Sequence, residues 1–186
     1  MLQVAVKLPS TSEEVGEYLA DVVALEAAGA AALWIDAGGL DPWVLLGAMA
    51  ALTHRIRLGC MLESDPWPPE AVATLQKLSR GRALIAVSDP GTTSRRIFTA
   101  RPGNDAATGV IYEAHSPEQL DAARDARIEV WAAIEVPRDR AAWVEALSAY
   151  EAAGATGVIV SWNARVLDLL RNPEPDDRTD LLISTG

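Results

Sequence analysis

Side chains able to do chemistry recur in this chain just after short apolar runs: Lys7, Asp36, Glu63 with Asp65, Ser88 with Asp89, Glu113 with His115, Glu135, and Ser161-Trp162-Asn163. In a parallel α/β fold these positions are the carboxyl ends of strands, where the site lies whatever the reaction. His115 is the only histidine of the set and the candidate acid or base. Asp36 ends an otherwise apolar run, residues 33–36. His115-Ser116 stands at a helix start, where free backbone N–H groups and the helix dipole suit a phosphate; Ser116 serves equally as a plain cap there. Asp36, Glu63, Asp89, Glu113, His115 and Glu135 together offer oxygen ligands and one imidazole of the kind that hold a divalent ion, but no pair has diagnostic spacing. The chain contains no G-x-G-x-x-G, P-loop, H-E-x-x-H or G-x-S-x-G, so dinucleotide, NTPase, zinc-protease and serine-hydrolase readings find no support.

The elements that must position these residues alternate regularly. Residues 3–8 read as a strand ended by Pro9. Thr11 with Glu14 has the form of a capping box, and Val15, Leu19, Val22 and Leu25 mark one face of a helix ending near Gly29. After the strand at 33–36, Asp41-Pro42 supplies an N-cap and a first-turn proline. Val44, Leu45, Ala48, Met49 and Leu52 then return at helical spacing over 42–53. Residues 56–62 are too short and too apolar for another amphipathic helix and read as a buried strand. Pro68-Pro69-Glu70 opens the next helix, Gly81 sits where its cap belongs, and 83–87 form a strand. The pattern then breaks: Pro90, Gly91, Pro102 and Gly103 bracket a short strand over 96–100, with no helix fitting before it. It resumes with a strand at 109–113, a helix from Ser116 to about Ala126, a strand at 128–136 and a helix over 138–153. A strand at 156–162, a helix over 164–170 and a polar, proline-broken tail complete the chain. The repeated Glu-Ala-Ala-Gly-Ala at Glu26 and Glu151, each before a buried strand, suits a barrel of repeated units. A parallel sheet with covering helices is the predicted architecture.

Several segments carry a family resemblance in order: the acid after strand two, the Asp41-Pro42 helix, ALTHRIRLG at 51–59 and LSRGRALIAV at 78–87. GVIYEAHSPEQL at 109–120, WVEALSAYEAAGATGVIV at 143–160 and RTDLL at 178–182 continue it. The chain resembles the bacterial-luciferase-like monooxygenase superfamily over residues 20–88 and again over 109–180, with 89–108 unmatched. The resemblance implies a (β/α)8 TIM-barrel-like fold trimmed in the middle, at 89–108. It implies a non-covalent flavin (FMN) or its deazaflavin analogue F420 at the rim. Asp36 would lie beside the ring, Met61, Leu62 and Glu63 would back it, and Ser88 would end the next strand of the site. Ser116 would open a phosphate-holding turn and His115 would transfer protons. Two positions depart from the family pattern: Ala37 stands where a histidine is common, and Ala114 where a glycine is usual.

At 186 residues and 49% hydrophobic, one domain spanning 1–186 is expected, and a full eight-stranded barrel would have to be shortened. The net charge of −10 repels phosphate backbones, so nucleic acid and anionic membrane are poor partners. The arginine pairs, Arg95/Arg96 among them, fall at element boundaries and read as a solvated rim. The single cysteine, Cys60, reads as a buried filler. Of six tryptophans, Trp34, Trp131 and Trp143 read as core, while Trp67 and Trp162 fall near the rim. Without a signal-peptide pattern or a run of membrane-spanning length, a cytoplasmic protein is expected. Two functions stay open: an oxidoreductase acting on a small organic substrate, and a degenerate, non-catalytic barrel serving as a binding or subunit-interaction module. In either case a homodimer is expected, to cover the edges or apolar surface of an incomplete barrel.

Overall fold

A computed structural model describes residues 1–63, 68–89, 94–100, 107–113, 116–120 and 128–172. Eight strands close into a barrel: β1 (Gln3–Lys7), β2 (Ala32–Asp36), β3 (Arg57–Leu62), β4 (Ala83–Ser88), β5 (Arg95–Thr99), β6 (Gly109–Glu113), β7 (Glu129–Ile134) and β8 (Gly157–Ser161). Five helices accompany them: α1 (Val15–Ala27), α2 (Pro42–Leu52), α3 (Pro69–Leu78), α4 (Arg140–Ala152) and α5 (Ala164–Arg171). Closure is made by β1 and β8, paired in parallel from Gln3↔Gly157 to Lys7↔Ser161. No helix among the described residues is long and apolar enough to cross a membrane.

The expected parallel sheet needs one correction. Strand β5 runs antiparallel to both β4 and β6. The cause is the length of the connection: parallel neighbours need a crossover of a dozen or more residues, and only 89–94 separate β4 from β5. Strand β5 therefore does the work of the missing helix, carrying the chain back to the amino-terminal end while adding a stave to the wall. An incomplete barrel with open edges, also expected, does not occur; the ring of strands is closed.

Local chemistry accounts for most element ends. The Asp41 carboxylate accepts hydrogen bonds from Trp43 N (2.9 Å) and Val44 N (3.0 Å), and Pro42 opens α2. At the far end of α2 the Arg82 guanidinium donates to the carbonyls of Ala50, Thr53 and Ile56 and to Thr53 Oγ1. The capping box read at Thr11 does not form. Helix α1 starts at Val15 behind Glu14, with no side-chain cap, because Ser10 and Thr11 pack against the backbone of Gly39, where a Cβ would lie 2.5 Å from the Ser10 carbonyl. After Ser116 the structure describes a single 3-10 turn, Pro117–Gln119; the rest of the helix expected to Ala126 lies outside the described residues, as does the polar tail.

The core has two shells. Between strands and helices lie Val4, Val6, Leu33, Ile35, Leu58, Cys60, Ile85 and Val158 with the inner faces of the helices, including Trp143. Inside the barrel lie Ala5, Ala32, Trp34, Met61, Leu84, Ala86, Phe98, Ile111, Trp131 and Ile159. Strand alternation separates the two sets, since successive side chains face opposite sides. Three aromatic rings fill the interior, and each lies over the glycine that is its register partner on the next strand: Trp34 on Gly59, Phe98 on Gly109, Trp131 on Gly157. A Cβ at those glycines would stand 2.2 Å from the Trp34 ring, 2.4 Å from Phe98 and 2.4 Å from Trp131. Trp34 and Phe98 meet edge to face at 5.7 Å. Below them Arg57 pairs with Glu129 at 2.8 Å and stacks on Trp131, whose Nε1 donates to the same carboxylate at 2.8 Å. The amino-terminal end of the barrel is thus stoppered, and the open end is the carboxyl rim.

Candidate active site

At that rim the apolar filling stops and a cavity of about 1270 Å³ begins. Met61, Ile111, Ala133 and Ile159 form its floor, the top of the interior shell; Leu62, Ile134, Val136, Tyr150 and Val160 add apolar wall. Lys7, Asp36, Glu63, Arg96, Glu113, Glu135, Ser161 and Asn163 supply its polar groups. Such a site, largely apolar with a few convergent polar groups, is the usual form of a small-molecule pocket.

Two charged groupings organise it. Lys7, ending β1, donates to the Asp36 carboxylate at the end of β2, at 2.9 Å. The neighbouring strands hold these ends in register, with Lys7 opposite Trp34 and Asp36 opposite Met61. Across the mouth, Arg96 donates from Nε to Glu113 (2.6 Å), from one terminal nitrogen to the Leu62 carbonyl (3.0 Å) and from the other to Glu63 (3.0 Å). Burial works against the Arg96 charge, but Glu113 and Glu63 more than offset it and its pKa rises.

Of the residues singled out in the sequence, Asp36, Met61, Leu62 and Glu63 come together on the cavity wall. Ser88 ends β4 as the register partner of Arg96 but is not among the lining residues. Ser116 is also absent from the lining: its N–H donates to Gln119 Oε1 at 3.2 Å and its hydroxyl lies 3.3 Å from the Glu118 carboxylate. His115, Asp65 and Trp67 lie outside the described residues. Trp162 packs half-buried against the outer shell. The Cys60 thiol is buried in that shell, and burial, helped by the Asp36 charge, pushes its pKa up to about 12. No group of three or more histidine, cysteine or acidic side chains poised for a metal occurs among the described residues.

Arg96 is the cavity-lining residue that sequence reasoning missed. Counted with Arg95 as solvated rim, it instead faces inward, because it lies two positions before Phe98 on the same side of β5. The signal was available: a loop too short for a helix forces an antiparallel return, which places the start of β5 at the rim.

Comparison with known proteins adds the following. The luciferase-like monooxygenase family matches residues 2–98. Uncharacterized proteins of Mycobacterium bovis and Mycobacterium tuberculosis are each 47% identical over 53 residues, covering 26% of this chain and 19% of theirs. The match therefore spans about a fifth of the length of those relatives. Tryptophan synthase from M. tuberculosis is similar in structure with a TM-score of 0.45 and 14% identity, over 86% of this chain and 82% of that one. With more than half of its length matched by the family, from β1 through most of β5, this chain belongs to the luciferase-like monooxygenase family.

Proposed function

We propose that the protein is an oxidoreductase that binds the ring of a non-covalent flavin, FMN, or of the deazaflavin F420, in the rim cavity and acts on a small organic substrate. The observation that carries this reading is a cavity of about 1270 Å³ at the carboxyl ends of a family barrel, with an apolar floor and the Lys7–Asp36 pair at its edge. A planar heteroaromatic ring needs an apolar face to lie on and directed polar groups at its rim, and the described residues offer both. When bound, the cofactor supplies the hydride or oxygen chemistry. The chain's own part is narrower. Asp36, steadied by Lys7, accepts from ring N–H groups, while Met61, Leu62 and the backbone at Glu63 support the ring face. His115 moves the proton in this reading.

The donors at Ser116 are spent on Gln119 and faced by Glu118, an arrangement better suited to capping than to a phosphate. That observation favours the second reading, a non-catalytic barrel acting as a binding or interaction module. Titration with riboflavin, FMN and F420, followed by tryptophan and cofactor fluorescence, separates the two. Saturable binding of a ring, weakened about ten-fold or more in Asp36→Ala, is expected for the oxidoreductase. Absence of saturable binding by all three removes that reading in favour of the module.

A further inference from the structure

We propose that Arg96 is the positioning residue of this site, a clasp by which the reversed strand β5 holds the end of β3 and Glu113 in the geometry that receives the ring; the proposal rests on the oxidoreductase reading above. Three observations converge on it. The Arg96 side chain is 12% exposed although it stands at the mouth of an open cavity. Its three donor sites reach three acceptors on two other strands or their ends: Glu113 at the end of β6, and the Leu62 carbonyl and Glu63 at the end of β3. All four residues line the cavity.

The reach of the side chain matters. Strands β4 and β5 are neighbours, and β3 lies one strand beyond, so the contact to Leu62 spans β4 across the barrel mouth. The Leu62 carbonyl belongs to the last residue of β3, where the sheet ladder ends, and a guanidinium from across the mouth satisfies it. A planar guanidinium spreads its N–H donors over three nitrogens and so reaches three acceptors set around its edge, whereas the three donors of a lysine ammonium share one nitrogen and match acceptors so spread less well. Arg96 thus fixes the wall formed by Leu62 and Glu63 and keeps the Glu113 carboxylate turned inward. It replaces, with one side chain, part of what a longer segment between β4 and β6 would otherwise supply. It acts on a ligand through those neighbours and not by its own charge, which is already matched.

The test uses the full chain with Arg96→Lys and Arg96→Met, riboflavin, FMN and F420 as probes, and amide hydrogen exchange as a second readout. Wild-type protein is expected to bind the ring, and both variants to bind it about ten-fold or more weakly. Exchange should rise at the amides of residues 61–63 while that of Gly157–Ser161 stays as in the wild type. A role by charge alone would be rescued by Arg96→Lys, and that rescue overturns the clasp. So does unchanged ring affinity in both variants, or faster exchange at 61–63 with affinity intact, which would leave Arg96 a structural residue only. If Arg96→Met fails to fold, Arg96→Lys alone decides between these outcomes. Wild-type protein that binds none of the three probes removes the oxidoreductase reading and the clasp with it, whereas binding that is indifferent to Arg96 removes the clasp alone.

Discussion

Gly59 is tolerated in the middle of β3 because the Trp34 ring occupies the space its side chain would need. In Gly59→Ala the new Cβ would meet the indole at 2.2 Å, inside an interior with no room to yield. Overpacking of this kind costs roughly 1–3 kcal/mol, and urea denaturation should show the midpoint falling accordingly. Trp34 and Trp131 were visible in the sequence as core. The pairing of each ring with one glycine was not, because it depends on register between strands, which no local pattern encodes. A second residue, Glu26, takes hydrogen bonds from His54 N, Arg55 N and Ile56 N at 2.8, 2.7 and 3.0 Å. Partial burial opposes its charge, but the three N–H groups prevail and its pKa is lowered. A carboxylate whose folded pKa lies below the unfolded one adds stability above the ordinary glutamate range and loses it as pH falls through the folded value. Acid titration of the denaturation midpoint should therefore be shallower in Glu26→Gln than in the wild type.

Helix α2 shows how an element without a charged residue is fixed in place from outside. Its start is held by Asp41 and its end by Arg82, from the segment leading into β4. Asp41→Ala should cost about 1 kcal/mol, as loss of an N-cap does. Arg82→Met should cost more, about 2–4 kcal/mol, because it strips a charged donor from several carbonyls at once; urea denaturation of the two variants side by side checks the order. The Asp41-Pro42 start was legible, since capping is written in adjacent residues. The Arg82 contact was not, because it joins positions about thirty residues apart. The same contrast holds for β5: its existence was legible from the bracketing prolines and glycines, but its direction required weighing the loop length against the reach of a crossover. That direction decides where Arg96 goes, so the missed residue and the missed orientation are one error.

At the scale of the molecule, eight strands and a double core leave Cys60 fully buried, with a thiol pushed up to about 12. Only the thiolate reacts with disulfide reagents, and here both burial and pKa suppress it. Labelling near neutral pH should be slow in the native state and should accelerate in step with global unfolding as denaturant is added, which comparison with far-UV circular dichroism would check. The alternation of elements, and hence the barrel, was readable because buried strands and capped helices repeat along the chain. The contents of the rim were readable only in part: Lys7, Asp36 and Glu63 end or follow their strands directly, but the pairing of Lys7 with Asp36 and of Arg96 with Glu63 joins strands distant in sequence.

Among the described residues, the three rings and the Arg57–Glu129 pair close the amino-terminal end, so the cavity opens toward the carboxyl rim. Anything that enters deepest is then the last to leave, and whatever sits above it must depart first. For two occupants stacked along the barrel axis this imposes a queue: their order of arrival dictates their order of release, and the outer one competes directly with anything else seeking the entrance.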